Sequence, residues 1–248
     1  MHVIITGNTT GIGKLITDNL VKQGHIVAGL SRTGEYKCDV TDYEQVESWS
    51  TYFLDAWESV DAIITCAGTQ GALGVMDKTD PIEWSKTIRV NLDGTYNVIK
   101  AFYPIMTTKK RPKIICLAGG GAGNGRPYFS AYAVAKTGVV RMVETFAAER
   151  PDIDINAVAP GAIRTDIIKD ALNAGPEIIG IEEYNKAVKQ NQEGDSPLAM
   201  LKLINWLLSS NSDKISGKFI SAKWDNWESL DYNKIAKDEY TLRRVVPS

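Results

Sequence analysis

The chain has 248 residues, 44% of them hydrophobic, with 28 basic and 30 acidic side chains and a formal charge of −2 at pH 7. That length and apolar content suit a single domain with a substantial core, and the near-neutral balance with no long basic run argues against nucleic acid or an anionic membrane as partner. No charged leader precedes the first apolar segment and no apolar run approaches the roughly 18 residues of a membrane span, so a cytoplasmic location and a small-molecule substrate are expected.

Residues 3–6, Val3-Ile4-Ile5-Thr6, form a β-branched run that predicts a first strand. Gly7-Asn8-Thr9-Thr10-Gly11-Ile12-Gly13 follows, and apolar residues then recur at Ile12, Leu15, Ile16 and Leu20 in helical spacing. Strand, glycine loop and helix form the context of a dinucleotide site, because glycines let the backbone approach a ligand and the free N–H groups of a helix start attract phosphate. Further strands are predicted at 24–31, 36–38, 62–65, 113–117, 153–158 and 218–221, and helices at 42–57, 80–106, 130–149 and 197–208. The alternation reads as α/β, a single doubly wound Rossmann domain over residues 1–248, with about seven parallel strands and helices on both faces. Cys38, Cys66 and Cys116 lie in or beside strands; with only two histidines in the chain they follow no metal-ligand spacing and read as reduced core residues.

Ser130-Ala131-Tyr132-Ala133-Val134-Ala135-Lys136 carries the chemistry. One helical turn puts the Tyr132 hydroxyl and the Lys136 ammonium on the same face, where a fixed cation favours the phenolate. Such a pair suits the proton transfer of carbonyl reduction or alcohol oxidation.

Together, Thr6-Gly7-x-x-x-Gly11-Ile12-Gly13 and Tyr132-x-x-x-Lys136 resemble the short-chain dehydrogenase/reductase family of the classical type, over residues 1 to about 222. Cys38-Asp39-Val40, Cys66-Ala67-Gly68, Asn91 in Val90-Asn91-Leu92, and Pro160-Gly161-Ala162-Ile163-Arg164-Thr165 fit the same register. The resemblance implies that Tyr132 is the acid/base, that Lys136 binds the nicotinamide ribose and lowers the tyrosine pKa, and that Asn91 holds a water of the proton relay. It further implies cofactor contacts at Gly7, Thr10, Gly11, Ile12, Gly13, Ser31, Arg32, Asp39, Val40, Ala67, Gly68, Asn91, Tyr132, Lys136, Pro160, Gly161, Ile163 and Thr165.

Cofactor choice is read after the second strand, where a carboxylate would bind the ribose 2'-OH and a cation a 2'-phosphate. Ser31-Arg32 stands there, which favours NADP(H), with NAD(H) as the alternative if Arg32 stacks on adenine or faces solvent. Asp39 is the adenine contact by resemblance, or a cap of the helix that begins near Asp42.

The sequence departs from the family at one point. Relatives carry a serine 13 or 14 residues before the tyrosine; here Gly119 and Ala118 occupy those positions. Losing one donor to the reacting oxygen costs about 10² to 10³ in rate. Ser130 does not fill the gap and is read as the N-cap of its helix. Two functions follow: an NADP(H)-dependent oxidoreductase acting on an oxoacyl- or sugar-like small molecule, or a catalytically impaired dinucleotide-binding protein serving as sensor or subunit. Residues 166–195 are expected to form a lid over the substrate, and 222–248, with Trp224 and Trp227, a tail packed on the body or on a partner subunit. A homodimer or homotetramer is expected through the helices at 80–106 and 130–149, with Val139, Val143 and Phe146 as an apolar stripe.

Overall fold

The computed structural model describes residues 1–106 and 111–244. Seven parallel strands, β1 (His2–Thr6), β2 (Ile26–Ser31), β3 (Tyr36–Lys37), β4 (Ala62–Thr65), β5 (Lys113–Leu117), β6 (Asp154–Ala159) and β7 (Lys218–Ser221), lie in the order β3-β2-β1-β4-β5-β6-β7. A parallel sheet covered on both sides needs apolar residues at successive positions, which is why β1, β4 and β5 read as unbroken runs. Their side chains alternate across the pleat. Ile4, Ile63 and Ile114 meet one core with residues of α2 (Tyr43–Trp57), α4 (Gly94–Phe102) and α5 (Ser130–Glu149), where Phe53 and Phe102 are fully buried. Val3, Ile5, Ile64 and Ile115 meet the other, formed with α1 (Gly11–Lys22) and α8 (Leu198–Leu208).

Several elements differ from expectation. The second strand starts at Ile26, because Gly24 (φ 81°) turns the chain out of α1 and the Gly24 and His25 amides still donate to the carbonyls of Val21 and Leu20. The single helix expected over 80–106 is four segments: α3 (Pro81–Ile88), a π-helical turn (Arg89–Asp93), α4, which ends at Phe102, and a 3₁₀ turn (Tyr103–Ile105) that contains Pro104. The π turn has a local cause. Asn91 Nδ2 donates to the Thr87 carbonyl (2.9 Å), the acceptor that an α-helix would give to the Asn91 amide. Residues 166–195 fold largely into α6 (Ile168–Ala174) and α7 (Pro176–Glu193), the latter broken at Gly180 (φ 72°).

Ser130 does not cap α5: the residue ahead of the helix is Phe129, without a side-chain cap, and Ser130 Oγ instead accepts from Trp84 Nε1 (3.0 Å), tying α5 to α3. The assembly stripe is also corrected. Val139 and Val143 are wholly buried in the chain's own core and are not offered to a partner, whereas Phe146, half-buried, packs edge-on against Tyr103. The tail packs on the body. Lys218 Nζ donates to the carbonyls of Ala236 (3.0 Å), Lys237 (3.1 Å) and Glu239 (2.9 Å), and the Phe219 amide to the Tyr240 carbonyl (2.7 Å). Trp227 is buried near Trp206, whereas Trp224 is exposed; residues 245–248 of the expected tail lie outside the described residues. Among the described residues no helix is long and apolar enough to cross a membrane.

Candidate active site

The strand order reverses between β1 and β4, and the loops at their C-terminal ends part there. The glycine loop lies in this crevice. A Cβ on Gly7 would sit 2.9 Å from Ala67 Cα, and one on Gly13 2.2 Å from the Gly7 carbonyl oxygen, so the start of α1 presses against backbone that leaves no room for a side chain. Thr6 Oγ1 accepts the amides of Cys66 and Ala67 (both 3.1 Å) and fixes the opposite wall. Thr10, ahead of α1, provides no side-chain cap, which leaves the first amides of the helix to a ligand.

The cleft so formed holds about 680 Å³. Of the expected cofactor residues, Gly7, Thr10, Gly11, Ile12, Gly13, Ser31, Arg32, Asp39, Val40, Ala67, Gly68 and Thr165 line it. Pro160, Gly161 and Ile163 do not. Their segment is strapped to the end of α7, where the Ala162 amide donates to Asp195 Oδ2 (2.8 Å) and Gln190 Nε2 to the Ile163 carbonyl (3.1 Å), and Ile163 is buried in the second core. A nicotinamide dinucleotide suits these residues: the cradle excludes Cβ atoms, and Ser31 Oγ is buried beside Arg32 without a hydrogen-bond partner among the described residues. Asp39 does not cap α2; Asp42 does, accepting from the Gln45 amide (3.2 Å). Asp39 Oδ1 takes the Thr41 amide (2.9 Å) and hydroxyl (2.8 Å), and these bonds, with the charges of Arg32 and Arg89, hold its carboxyl below the usual range.

Tyr132, Lys136 and Asn91 gather next to the cleft rather than among its lining. A Cβ on Gly68 would lie 2.7 Å from Asn91 Oδ1 and 3.6 Å from Lys136 Nζ. Asn91 is fully buried, and its Nδ2 also donates to the Thr69 carbonyl (2.8 Å). Lys136 Nζ donates to the Leu117 carbonyl (2.8 Å) and stands 5.7 Å from the centre of the Tyr132 ring; burial brings its pKa down to about 8. The expectation that Lys136 lowers the tyrosine pKa differs from what is found. Burial pushes Tyr132 above its ordinary value, and the charge that pulls against burial is the guanidinium of Arg126. The neighbouring thiols of Cys66 and Cys116 are pushed up to about 12 by burial, which leaves them without nucleophilic character at neutral pH. Gly119 has φ 129°, and a Cβ there would be 3.3 Å from the Tyr132 hydroxyl; Ala118 instead packs into the first core.

Sequence reasoning missed Arg126 and Glu183, which pair at 3.4 Å across the loop before α5 and helix α7. Six residues before the tyrosine, in a loop rich in glycine, Arg126 reads as a solvated loop charge.

A family model described as short chain dehydrogenase matches residues 1–174. The chain belongs to that family. This short chain dehydrogenase is 31% identical to the 3-oxoacyl-[acyl-carrier-protein] reductase FabG of Thermotoga maritima over 88% of its own length and 94% of the relative. It is 26% identical to the short chain dehydrogenase pigC of Monascus ruber, over 90% of this chain and 78% of that one. Among solved structures, the ligand-free aldohexose dehydrogenase of Thermoplasma acidophilum superposes with a TM-score of 0.77 at 25% identity, covering 89% of this chain and 92% of that one.

Proposed function

We propose that this short chain dehydrogenase is an NADP(H)-dependent oxidoreductase that reduces a carbonyl, or oxidises a secondary alcohol, on an oxoacyl- or sugar-like small molecule. The observation that carries the reading is the placement of Asn91 and Lys136 against Gly68, with the Tyr132 ring 5.7 Å from the Lys136 ammonium, at the margin of a cleft whose glycine walls and Ser31 hydroxyl, unpartnered among the described residues, suit a dinucleotide phosphate. A bound NADP(H) supplies or accepts the hydride. Tyr132 gives its hydroxyl proton to the carbonyl oxygen as charge builds there, and takes it back in the reverse direction. Lys136 holds the ribose and Asn91 a water through which the phenolate is reprotonated. Arg32 meets the 2'-phosphate with its planar fork, and Ser31 Oγ gains there the partner it lacks. Residues 166–195 act as a lid that excludes water, on a single domain spanning 1–248.

Pairing of copies in a homodimer or homotetramer uses the outer faces of α4 and α5, where Tyr96 and Val134 stand half exposed. The relatives that reduce a 3-oxoacyl chain or oxidise an aldohexose, by their names, support both substrate types. One observation favours the competing sensor or subunit: no hydroxyl projects from Gly119, the position from which a side chain would reach Tyr132.

The test is NADPH consumption on a panel of oxoacyl thioesters, ketones and sugars, with Tyr132→Phe beside the wild type. Turnover by the wild type, lost by a factor of about 10² to 10⁴ in the variant while NADPH still binds, is expected. A wild type that binds NADPH and turns over nothing on the panel would replace the enzyme with the sensor.

A further inference from the structure

Arg126 is a cation six residues ahead of Tyr132 that the reaction above does not use. It lies in the loop ahead of α5, with its guanidinium 3.7 Å over the ring of Phe129. That ring is fully buried and shares an apolar cluster with Tyr132, Ile168 of α6 and Ile179 of α7. The stacking fixes the plane of the fork, and only 25% of the side chain is exposed. Its hydrogen bonding is far from filled. Nε makes one long contact with Glu183 Oε2 (3.4 Å), and among the described residues Nη1 and Nη2 have no partner. Glu183 is already held by Lys186 at 2.6 Å and reaches Arg126 from the Nε side alone, so it acts as a resting counter-ion and not as a bidentate mate.

A guanidinium pinned by stacking on Phe129, with four terminal N–H groups that no protein group engages among the described residues, is a preformed fork for an oxyanion. We propose that Arg126 receives a second, anionic group of the substrate, a carboxylate or a phosphate, while Tyr132 handles the carbonyl. The substrate class is then an oxo acid or a phosphorylated oxo compound. This inference deepens the oxidoreductase reading and rests on it. The same charge is felt at the Tyr132 hydroxyl, where it opposes the effect of burial, which puts the fork within electrostatic reach of the reacting oxygen.

The experiment uses matched pairs followed by NADPH consumption: 3-oxobutanoate against its ethyl ester, and dihydroxyacetone phosphate against dihydroxyacetone. The wild type is expected to prefer the charged member of one pair, and which pair it is separates carboxylate from phosphate. Arg126→Ala is expected to lower that preference in kcat/KM by about 30-fold, and Arg126→Lys, which keeps the charge without the fork, to restore part of it. No preference in the wild type, or equal losses on charged and neutral members in Arg126→Ala, would overturn the inference. If neither pair is turned over, calorimetry of the same two anions on the protein with NADPH decides. Anion binding that vanishes in Arg126→Ala keeps the anion site while the reductase reading fails; absence of anion binding by the wild type overturns the site.

Discussion

The two ends of the cleft are made of different material. At the glycine end the wall is backbone: Gly7 and Gly13 approach Ala67 and each other so closely that no Cβ fits, and one threonine, Thr6, staples β1 to the loop after β4. At the Tyr132 end the groups are side chains from separate stretches of chain, Asn91 on a π turn, Tyr132 and Lys136 on α5, Arg126 in a loop and Glu183 on α7. A wall of backbone is fixed by the fold and tolerates little change. An array of side chains on the same fold is free to change its chemistry one residue at a time.

The sharpest way to break this contrast is Gly13→Ala. Its methyl group would meet the Gly7 carbonyl, so NADPH affinity should fall about a hundredfold or more in a fluorescence titration. Normal affinity would show that the backbone wall has slack. At the other end, Lys136→Met should remove activity and yet stabilise the cofactor-free protein at pH 7 by about 1–3 kcal/mol, read as a higher Tm. The sign follows from burial: Lys136 titrates at about 8 in the fold and near its ordinary value of 10.5 when unfolded, so the charged form opposes folding. The advantage of the variant is therefore complete below pH 8 and shrinks as pH rises from about 8 through 10.5; an advantage that grows with pH would refute it.

Arg32→Ala tests the cofactor end by charge alone, and NADPH affinity is expected to drop about tenfold with little change for NADH. The smallest effect is expected from restoring a hydroxyl near Tyr132. Gly119→Ser places a side chain on a backbone at φ 129° and should cost about 1 kcal/mol in denaturant unfolding, while Ala118→Ser puts its hydroxyl into the first core and should not raise the rate. A rate gain from Ala118→Ser would mean that this loop moves before it reacts.

The same contrast explains what was legible in the sequence. The alternation of apolar runs and helical spacing announced the sheet and its layers, because parallel strands must be apolar on both faces. The glycine loop was equally plain, since its requirement is local: no side chain at certain positions. The π turn was not, because it depends on a side-chain amide competing for the Thr87 carbonyl inside an otherwise regular helical pattern. Ser130 looked like a cap, and only the tertiary position of Trp84, 46 residues away, shows why its hydroxyl is used elsewhere. Val139 and Val143 form a stripe that periodicity cannot assign to the interior or to a neighbour, and the sheet behind α5 decides it. Arg126 gains its character from Phe129 and Glu183, and only the first of these is near in sequence.

Both borders of the sheet are guarded against unwanted growth. At one border β3 is only two residues long, too brief to template another strand. At the other, β7 is screened by the segment that returns along it: three carbonyls crown the Lys218 ammonium and the Tyr240 carbonyl occupies the Phe219 amide. Loss of that crown would strand a buried cation and bare a strand edge together, so the same small cluster that anchors the tail also guards the protein against clumping at high concentration.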